Sequence, residues 1–214
     1  MCGRFVDPNL QSLGLDTSWL KLNPIPRRFN VKPTNEVVIL GKTPPEPMLA
    51  RWGLIPSWFK GDEAKEWKAT TFNARFEEAK EKPTFRNVWK HGRCLIPAAG
   101  FYEWTGEKSK RQPNFIQSAG NEDVLFFAGL ASRWRDLLTC TILTRAANDS
   151  MAGLHHRMPV ILNAEERDVW LGGSEEPDLG AEVKLRHHPV QPFGLLDDGP
   201  ELIEPFAAPR AGLL

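Results

Sequence analysis

Short apolar runs, broken by glycine, proline and basic turns, dominate this chain, and their period shifts along it. Val37–Leu40 and Met48–Ile55 have the β-branched and aromatic content of strands, with Gly-Lys-Thr-Pro-Pro-Glu-Pro at 41–47 as the loop between them. Asp62 to Lys68 predicts a helical turn. Ala74 to Lys80 continues helically and stops before Pro83, and Phe85–His91 predicts a second short helix closed by Gly92. A series of strands follows: Arg93–Ile96, Gly100–Trp104, Asn114–Gln117, Val124–Leu130 and Leu138–Thr144. Thr105 to Pro113, with Gly106, basic side chains and Pro113, predicts a hairpin loop. Ala146–Leu154 reads as a helix and Met158–Leu162 as a strand. Ala164–Leu171 reads as a helix with Asn163 as its N-cap. Gly172–Gly180 is a loop, Val183–Val190 a late strand, and Glu201–Glu204 adjoins a tail rich in Ala, Pro and Gly. The sum is an α+β chain with strands dominating its middle. It has no βαβ rhythm, which argues against a doubly wound sheet.

Length and composition narrow this picture. A chain of 214 residues without internal repeats or a long linker is most simply one domain over residues 1–214, large enough to bury a sizeable core. Hydrophobic residues make up 41% and charged residues 25%, an ordinary globular balance. Lys+Arg and Asp+Glu both count 27, so nucleic-acid binding must rest on a local basic patch rather than on overall charge. Eighteen prolines favour short, interrupted elements over long helices. No apolar run is long enough to span a bilayer and no signal peptide is evident, so the expected setting is cytoplasmic, with no membrane partner. The three cysteines, Cys2, Cys94 and Cys140, form no CxxC pair, which argues against a disulfide framework or structural zinc. Cys94 and Cys140 sit in strand-like runs and read as core thiols.

Cys2 is different because it follows the initiator methionine. Removal of Met1 would leave an N-terminal cysteine with a free α-amine and a thiol on adjacent carbons. The amine has a reference pKa of about 7.7–8.0 and the thiol about 8.5, so both are partly deprotonated near neutral pH. Such a 1,2-aminothiol condenses with an aldehyde to an imine and closes to a five-membered thiazolidine. An internal cysteine cannot, because its nitrogen is an amide. The plainer reading is a small residue in a frayed terminus.

Four polar segments sit in apolar or aromatic company. In Thr71–Glu77, Asn73 and Arg75 are two apart, so both can point to one face of an extended segment and offer an amide and a guanidinium fork. A helix cap and a surface ion pair explain them equally. In Cys94–Trp104, alternation puts Glu103 on the face of Phe101 and opposite Tyr102 and Trp104. A carboxylate in such company can titrate high and serve as acid and base, or simply face water at a strand edge. His155 and His156 precede Arg157-Met158-Pro159-Val160. Adjacent histidines on extended backbone face opposite ways, which argues against a shared metal, and one of them can shuttle protons near neutral pH. Trp58 and Phe59 after Pro56 suit either a stacking platform for bases or core packing.

Taken in order, Met1–Phe5, Phe29–Pro33, Arg51–Pro56, Phe72–Glu77, Arg93–Pro97, Gly100–Trp104, His155–Val160 and Pro200–Pro205 closely resemble the SOS-response-associated peptidase family, over nearly the whole chain. The resemblance implies one compact α+β domain with a barrel-like, mostly antiparallel sheet. It implies a monomer without cofactor or metal that recognises abasic sites in single-stranded DNA and crosslinks to them. By position, Cys2 matches the crosslinking cysteine, Asn73 and Glu103 the active-site polar pair, and His155 the catalytic histidine. Arg4, Arg75 and Arg157 match positions near DNA phosphate, and Asn30, Pro33, Trp58 and Phe59 match DNA-facing positions. The chain departs from the family pattern at Ala99, in lacking a basic residue near Pro83, and in a shortened stretch around Pro189–Phe193. These changes bear on the grip on flanking DNA rather than on the chemistry.

The mechanism this implies is imine formation by the Cys2 amine and ring closure by its thiol, with weak lyase activity possible through the imine. Two other readings stand beside it. One is a cysteine peptidase with Cys2 as nucleophile and His155 as base, whose substrate could be its own Met1–Cys2 bond alone. The other is a single-strand-binding module in which the cysteine is incidental.

Overall fold

The computed structural model describes residues 2–9, 13, 27–41, 47–107 and 110–206. The expected loop at 41–47 falls mostly outside them, as do Met1 and the tail after Phe206. The strands are β1 (Phe5–Val6), β2 (Glu36–Leu40), β3 (Pro47–Trp52), β4 (Asn73–Arg75), β5 (Arg93–Ala98), β6 (Gly100–Thr105), β7 (Gln112–Ser118), β8 (Leu125–Trp134), β9 (Leu137–Ala146), β10 (Arg157–Pro159) and β11 (Leu185–Pro189). The helices are α1 (Phe76–Ala79) and α2 (Ala164–Leu171), with 3₁₀ turns at Ala64–Glu66 and Pro200–Ile203.

The larger sheet runs β10-β9-β3-β2-β5-β8, and β8 pairs again with β9, so β9, β3, β2, β5 and β8 close into a ring. Pairing is antiparallel except where β3 and β4 meet β9 in parallel. The second sheet, β1-β6-β7-β11, is wholly antiparallel. β5 runs through Ala99 into β6, so one stretch of chain passes from the ring to the second sheet. Gly100 sits at that passage because a Cβ there would come 2.4 Å from the Ile116 carbonyl oxygen.

β5 is buried along its whole length because both faces are covered. Cys94, Ile96 and Ala98 point into the ring with Ile39, Trp52, Phe127, Cys140 and Ile142. Leu95 faces the outer cluster of Leu130, Leu143 and Trp170 under α2. Two strand faces in contact with core make a continuous apolar run rather than an alternating one. Asn163 caps α2 as expected, accepting from the Glu166 N–H at 2.8 Å, while Glu166 accepts from the Asn163 N–H at 3.2 Å. Such a capping box is worth about 1 kcal/mol. Arg93 closes the other end, its guanidinium over the rings of Trp89 and Trp170 and donating to the carbonyls of Trp89, Trp170 and Ser174.

Three helical expectations differ from the structure. Asn73–Arg75 is a strand paired with β9, so the helix after it is only Phe76–Ala79. Phe85–His91 is a chain of turns, with Phe85 and Trp89 pulled into the outer cluster. Ala146–Leu154 is not a helix either. β9 extends to Ala146, and the remainder turns twice around buried Met151 and delivers His155. In each place tertiary pairing outweighs helix propensity.

Candidate active site

Two residues of strand would ordinarily fray, yet β1 is fastened on three sides. Phe5 exchanges backbone hydrogen bonds with Val31 at 3.1 and 2.9 Å, and the Tyr102 N–H donates to the Arg4 carbonyl at 3.0 Å. The Phe5 ring meets Trp52 at 5.2 Å and Phe127 at 6.2 Å, edge to face, inside the ring of strands. Edge contacts of this kind are each worth about 0.5–1.5 kcal/mol beyond buried area. Cys2 is therefore held rather than frayed, and it is fully buried.

Asn73 comes to Cys2 from β4. The register of β4 on β9, Asn73 opposite Ile142, aims its side chain inward, and its Nδ2 donates to the Cys2 carbonyl at 2.7 Å. Its Oδ1 is buried without a hydrogen-bond partner among the described residues, an arrangement that usually marks a waiting donor. Glu103 arrives on β6 and is 4% exposed. Phe101 on the same strand face points into the central cluster, whereas Tyr102 and Trp104 pack in a third cluster, as alternation requires. Burial pushes the Glu103 carboxyl up, and the positive chain terminus opposes that shift. Burial also pushes the Cys2 thiol far up, with the Glu103 charge adding to the effect.

His155 closes the set. Its Nδ1 lies 2.9 Å from the Arg157 N–H and 3.1 Å from the Arg157 carbonyl, so that nitrogen has a partner whether or not it carries a proton. Burial lowers its pKa, aided by the chain terminus. Glu103 and His155 line one cleft of roughly 600 Å³, together with Gly3, Arg4, Trp104, Arg111 and Phe193. Clefts of about 300–1,000 Å³ hold ordinary small ligands, so one sugar unit fits. The histidine pair departs from expectation. The His155 and His156 rings stack at 4.3 Å and 24° instead of facing opposite ways, because the chain turns there and is not extended.

The remaining residues fall in three places. Arg4 is in the cleft, donating to Asn30 Oδ1 at 3.2 Å and the Gly194 carbonyl at 3.0 Å, with its guanidinium over Trp104 and Phe193. Asn30 is buried and donates to the carbonyls of Gly194 and Asp197, so it braces Arg4 and the 194–197 loop. Pro33 sits in the turn that joins Lys32 to Asn35. Arg157 forms a bidentate pair with Glu77, both bonds at 2.8 Å, which holds the Glu77 carboxyl below its usual range. Arg75 is exposed and paired with Glu78. Trp58 is 45% exposed and packs on Trp67, while Phe59 packs on Trp67 and Trp134 beside the β8–β9 turn. That turn is the opposite end of β9 from Ala146, where β10 pairs, roughly 30 Å away at the usual strand rise. Arg111 and Phe193 are cleft residues that sequence reasoning did not single out. For Arg111 the available signal was its place in a basic hairpin loop.

Among the described residues no His, Cys, Asp and Glu cluster is arranged to hold a metal ion, and no helix is long and apolar enough to cross a membrane.

A profile of the family described as SOS response associated peptidase (SRAP) matches residues 1–193. The abasic site processing protein YoqW of Bacillus subtilis (strain 168) is 35% identical over 191 residues, covering 83% of this chain and 84% of its own length. The abasic site processing protein YedK of Escherichia coli (strain K12) is 30% identical over 229 residues, covering 96% of this chain and 100% of its own. A crystal structure of a Bacteroides thetaiotaomicron protein superposes with a TM-score of 0.83 at 24% identity, over 96% of this chain and 100% of that one. The chain belongs to the SOS response associated peptidase (SRAP) family.

Proposed function

We propose that this protein processes abasic sites in DNA by forming a covalent adduct through Cys2 once Met1 has been removed, with single-stranded DNA as its substrate. The observation that carries the reading is the buried Cys2, its carbonyl gripped by Asn73 at 2.7 Å, directly before Gly3 and Arg4, which line one cleft with Glu103 and His155. The names of relatives from Bacillus subtilis and Escherichia coli, abasic site processing proteins, support the substrate class.

An abasic sugar equilibrates between a closed hemiacetal and an open aldehyde. His155 exchanges a proton with the sugar as the ring opens. The Cys2 amine then adds to the aldehyde carbon, and the carbinolamine loses water to give an imine. The thiol sulfur adds to the carbon of the protonated imine, its proton passes to the Glu103 carboxylate, the nitrogen keeps its own hydrogen, and the thiazolidine closes. One water leaves and nothing is oxidised or reduced. Glu103 suits both proton transfers. Raised by burial, it can donate to the departing hydroxyl and then accept from a thiol that its surroundings keep protonated. Asn73 fixes the Cys2 backbone so that amine and aldehyde meet in register. Arg4 and Arg111 at the cleft suit flanking phosphates, which set position without reading sequence. Trp58 and Phe59 offer a stacking surface farther along the strand path.

The peptidase reading is less well supported, because a nucleophilic cysteine works as a thiolate and burial here opposes that form. The test is incubation with abasic single-stranded DNA, followed by a denaturing gel. A shifted band that requires the aldehyde supports the proposal. Salt-sensitive binding without a shifted band would contradict it.

A further inference from the structure

We propose that His156 is a positioning residue that sets the protonation behaviour of His155 through their stacked rings. This rests on the proposed role of His155 in opening the sugar. The stack is close, 4.3 Å between centroids and 24° between planes. It is also fixed on the backbone, since the His156 carbonyl accepts from the Ala147 N–H at 3.1 Å and Arg157 enters β10 directly after it.

The geometry around His155 makes this contact consequential. With a proton on Nδ1 donating to the Arg157 carbonyl, Nε2 is a base, whereas with Nδ1 accepting from the Arg157 N–H the neutral ring carries its proton on Nε2. With a second proton, Nε2–H is an acid, and the ring need not rotate between the two states. The step between them depends on the charges that face the ring. From its own segment these are Arg157, already paired with Glu77, and His156. The positive chain terminus also acts on it, and Glu103 and Arg111 line the same cleft. His156 differs from the others in that its ring lies directly on that of His155. Positive charge on the stacked ring opposes a second proton on His155 and adds to the burial that lowers its pKa, which couples the two rings. The coupling keeps a fraction of His155 neutral, and hence basic, at mildly acidic pH. His156 is exposed, so its replacement should not disturb folding.

The experiment is an NMR titration of the His155 ring in the free, Met1-processed protein, paired with the pH–rate profile of adduct formation on an abasic oligonucleotide. Wild type is compared with His156→Phe, which keeps a stacked ring without the charge, and His156→Glu, which reverses it. His156→Phe should move the His155 midpoint up by about 0.7 of a pH unit, the bulk-water interaction of two charges about 4 Å apart. His156→Glu should move it further, and the acidic limb of the rate profile should follow by the same amounts. A His155 midpoint unchanged in both variants would overturn the coupling, whatever the adduct yield. A midpoint that moves while the rate profile stays put would overturn the role in the reaction. Absence of adduct from wild type itself would remove the reading of the site, and this proposal with it, a result the two variants alone cannot produce.

Discussion

Replacing Glu103 with Gln separates proton transfer from architecture in a single change. Glutamine has the shape of the protonated acid and keeps a polar end, but it cannot cycle between donor and acceptor of a proton. Because the wild-type carboxyl is 4% exposed, bulk water is a poor substitute, and the full range assigned to general acid–base help, about 10²–10⁴-fold in rate, is at stake. Binding of the DNA should stay within about threefold, or about 0.7 kcal/mol. Stability should move the opposite way. Burial raises the folded-state pKa of Glu103 above its ordinary 4.5, so the protonated form suits the fold and the carboxylate does not. The contribution of the acid form is complete below pH 4.5 and is lost as pH rises through the folded-state value. Glu103→Gln should therefore melt with wild type at pH 4 and above it at pH 8. About 1 kcal/mol corresponds to roughly 2–4 °C in a chain of this size. Adduct rates by denaturing gel from pH 5 to 9 and melting curves at both pH values give the two readouts. Equal adduct rates across the range would remove Glu103 from proton transfer, and a variant less stable than wild type at pH 8 would show that burial does not disfavour the carboxylate.

Asn73→Ala removes the bond to the Cys2 carbonyl, and one such buried bond is worth about 1 kcal/mol. Adduct formation should slow by about fivefold, measured by the same gel, with DNA affinity unchanged. Arg157→Gln breaks the bidentate pair with a half-exposed Glu77 and should lower stability by about 1 kcal/mol at pH 7. Because Arg157 holds the Glu77 pKa below 4.5, that difference is present above 4.5 and shrinks as pH falls below it, which melting curves at pH 7 and 3 will report. Affinity for single-stranded DNA should fall with salt by about 0.7 in log–log slope per phosphate contacted. Arg111→Ala should reduce the slope by about that amount if it meets one phosphate.

Much of the sheet was legible in the sequence. Strands β5 to β9 each contain a run of apolar, largely β-branched or aromatic residues between turn signals, and the structure lengthens them, except that β8 starts at Leu125 rather than Val124. Ring closure was not legible, because it depends on β8–β9 and parallel β3–β9 contacts that no local pattern encodes. Nor was the strand character of Asn73–Arg75, where Ala74 and the following glutamates favour helix and pairing with β9 prevails. The turns at 147–154 had apolar residues at helical spacing, yet only Met151 among them is fully buried, and the chain folds around it. At the site, the special chemistry of Cys2 could be argued from its position alone. The meeting of Cys2, Asn73, Glu103 and His155 could not, since family resemblance and not periodicity linked them. The bracing role of Asn30 was hidden by the 164 residues that separate it from Gly194.

Whether the Cys2 amine and thiol act together is read most directly by intact mass after reaction with abasic single-stranded DNA. Three proteins are compared: a form that retains Met1, the processed wild type, and processed Cys2→Ala. While Met1 remains, the Cys2 nitrogen is an amide and cannot form an imine, and a thiol adduct alone reverses on denaturation. Cys2→Ala keeps an amine but cannot close the ring. A stable adduct, one water lighter than the sum of protein and DNA, is expected on the processed wild type alone. A stable adduct on the Met1-retained protein would contradict it.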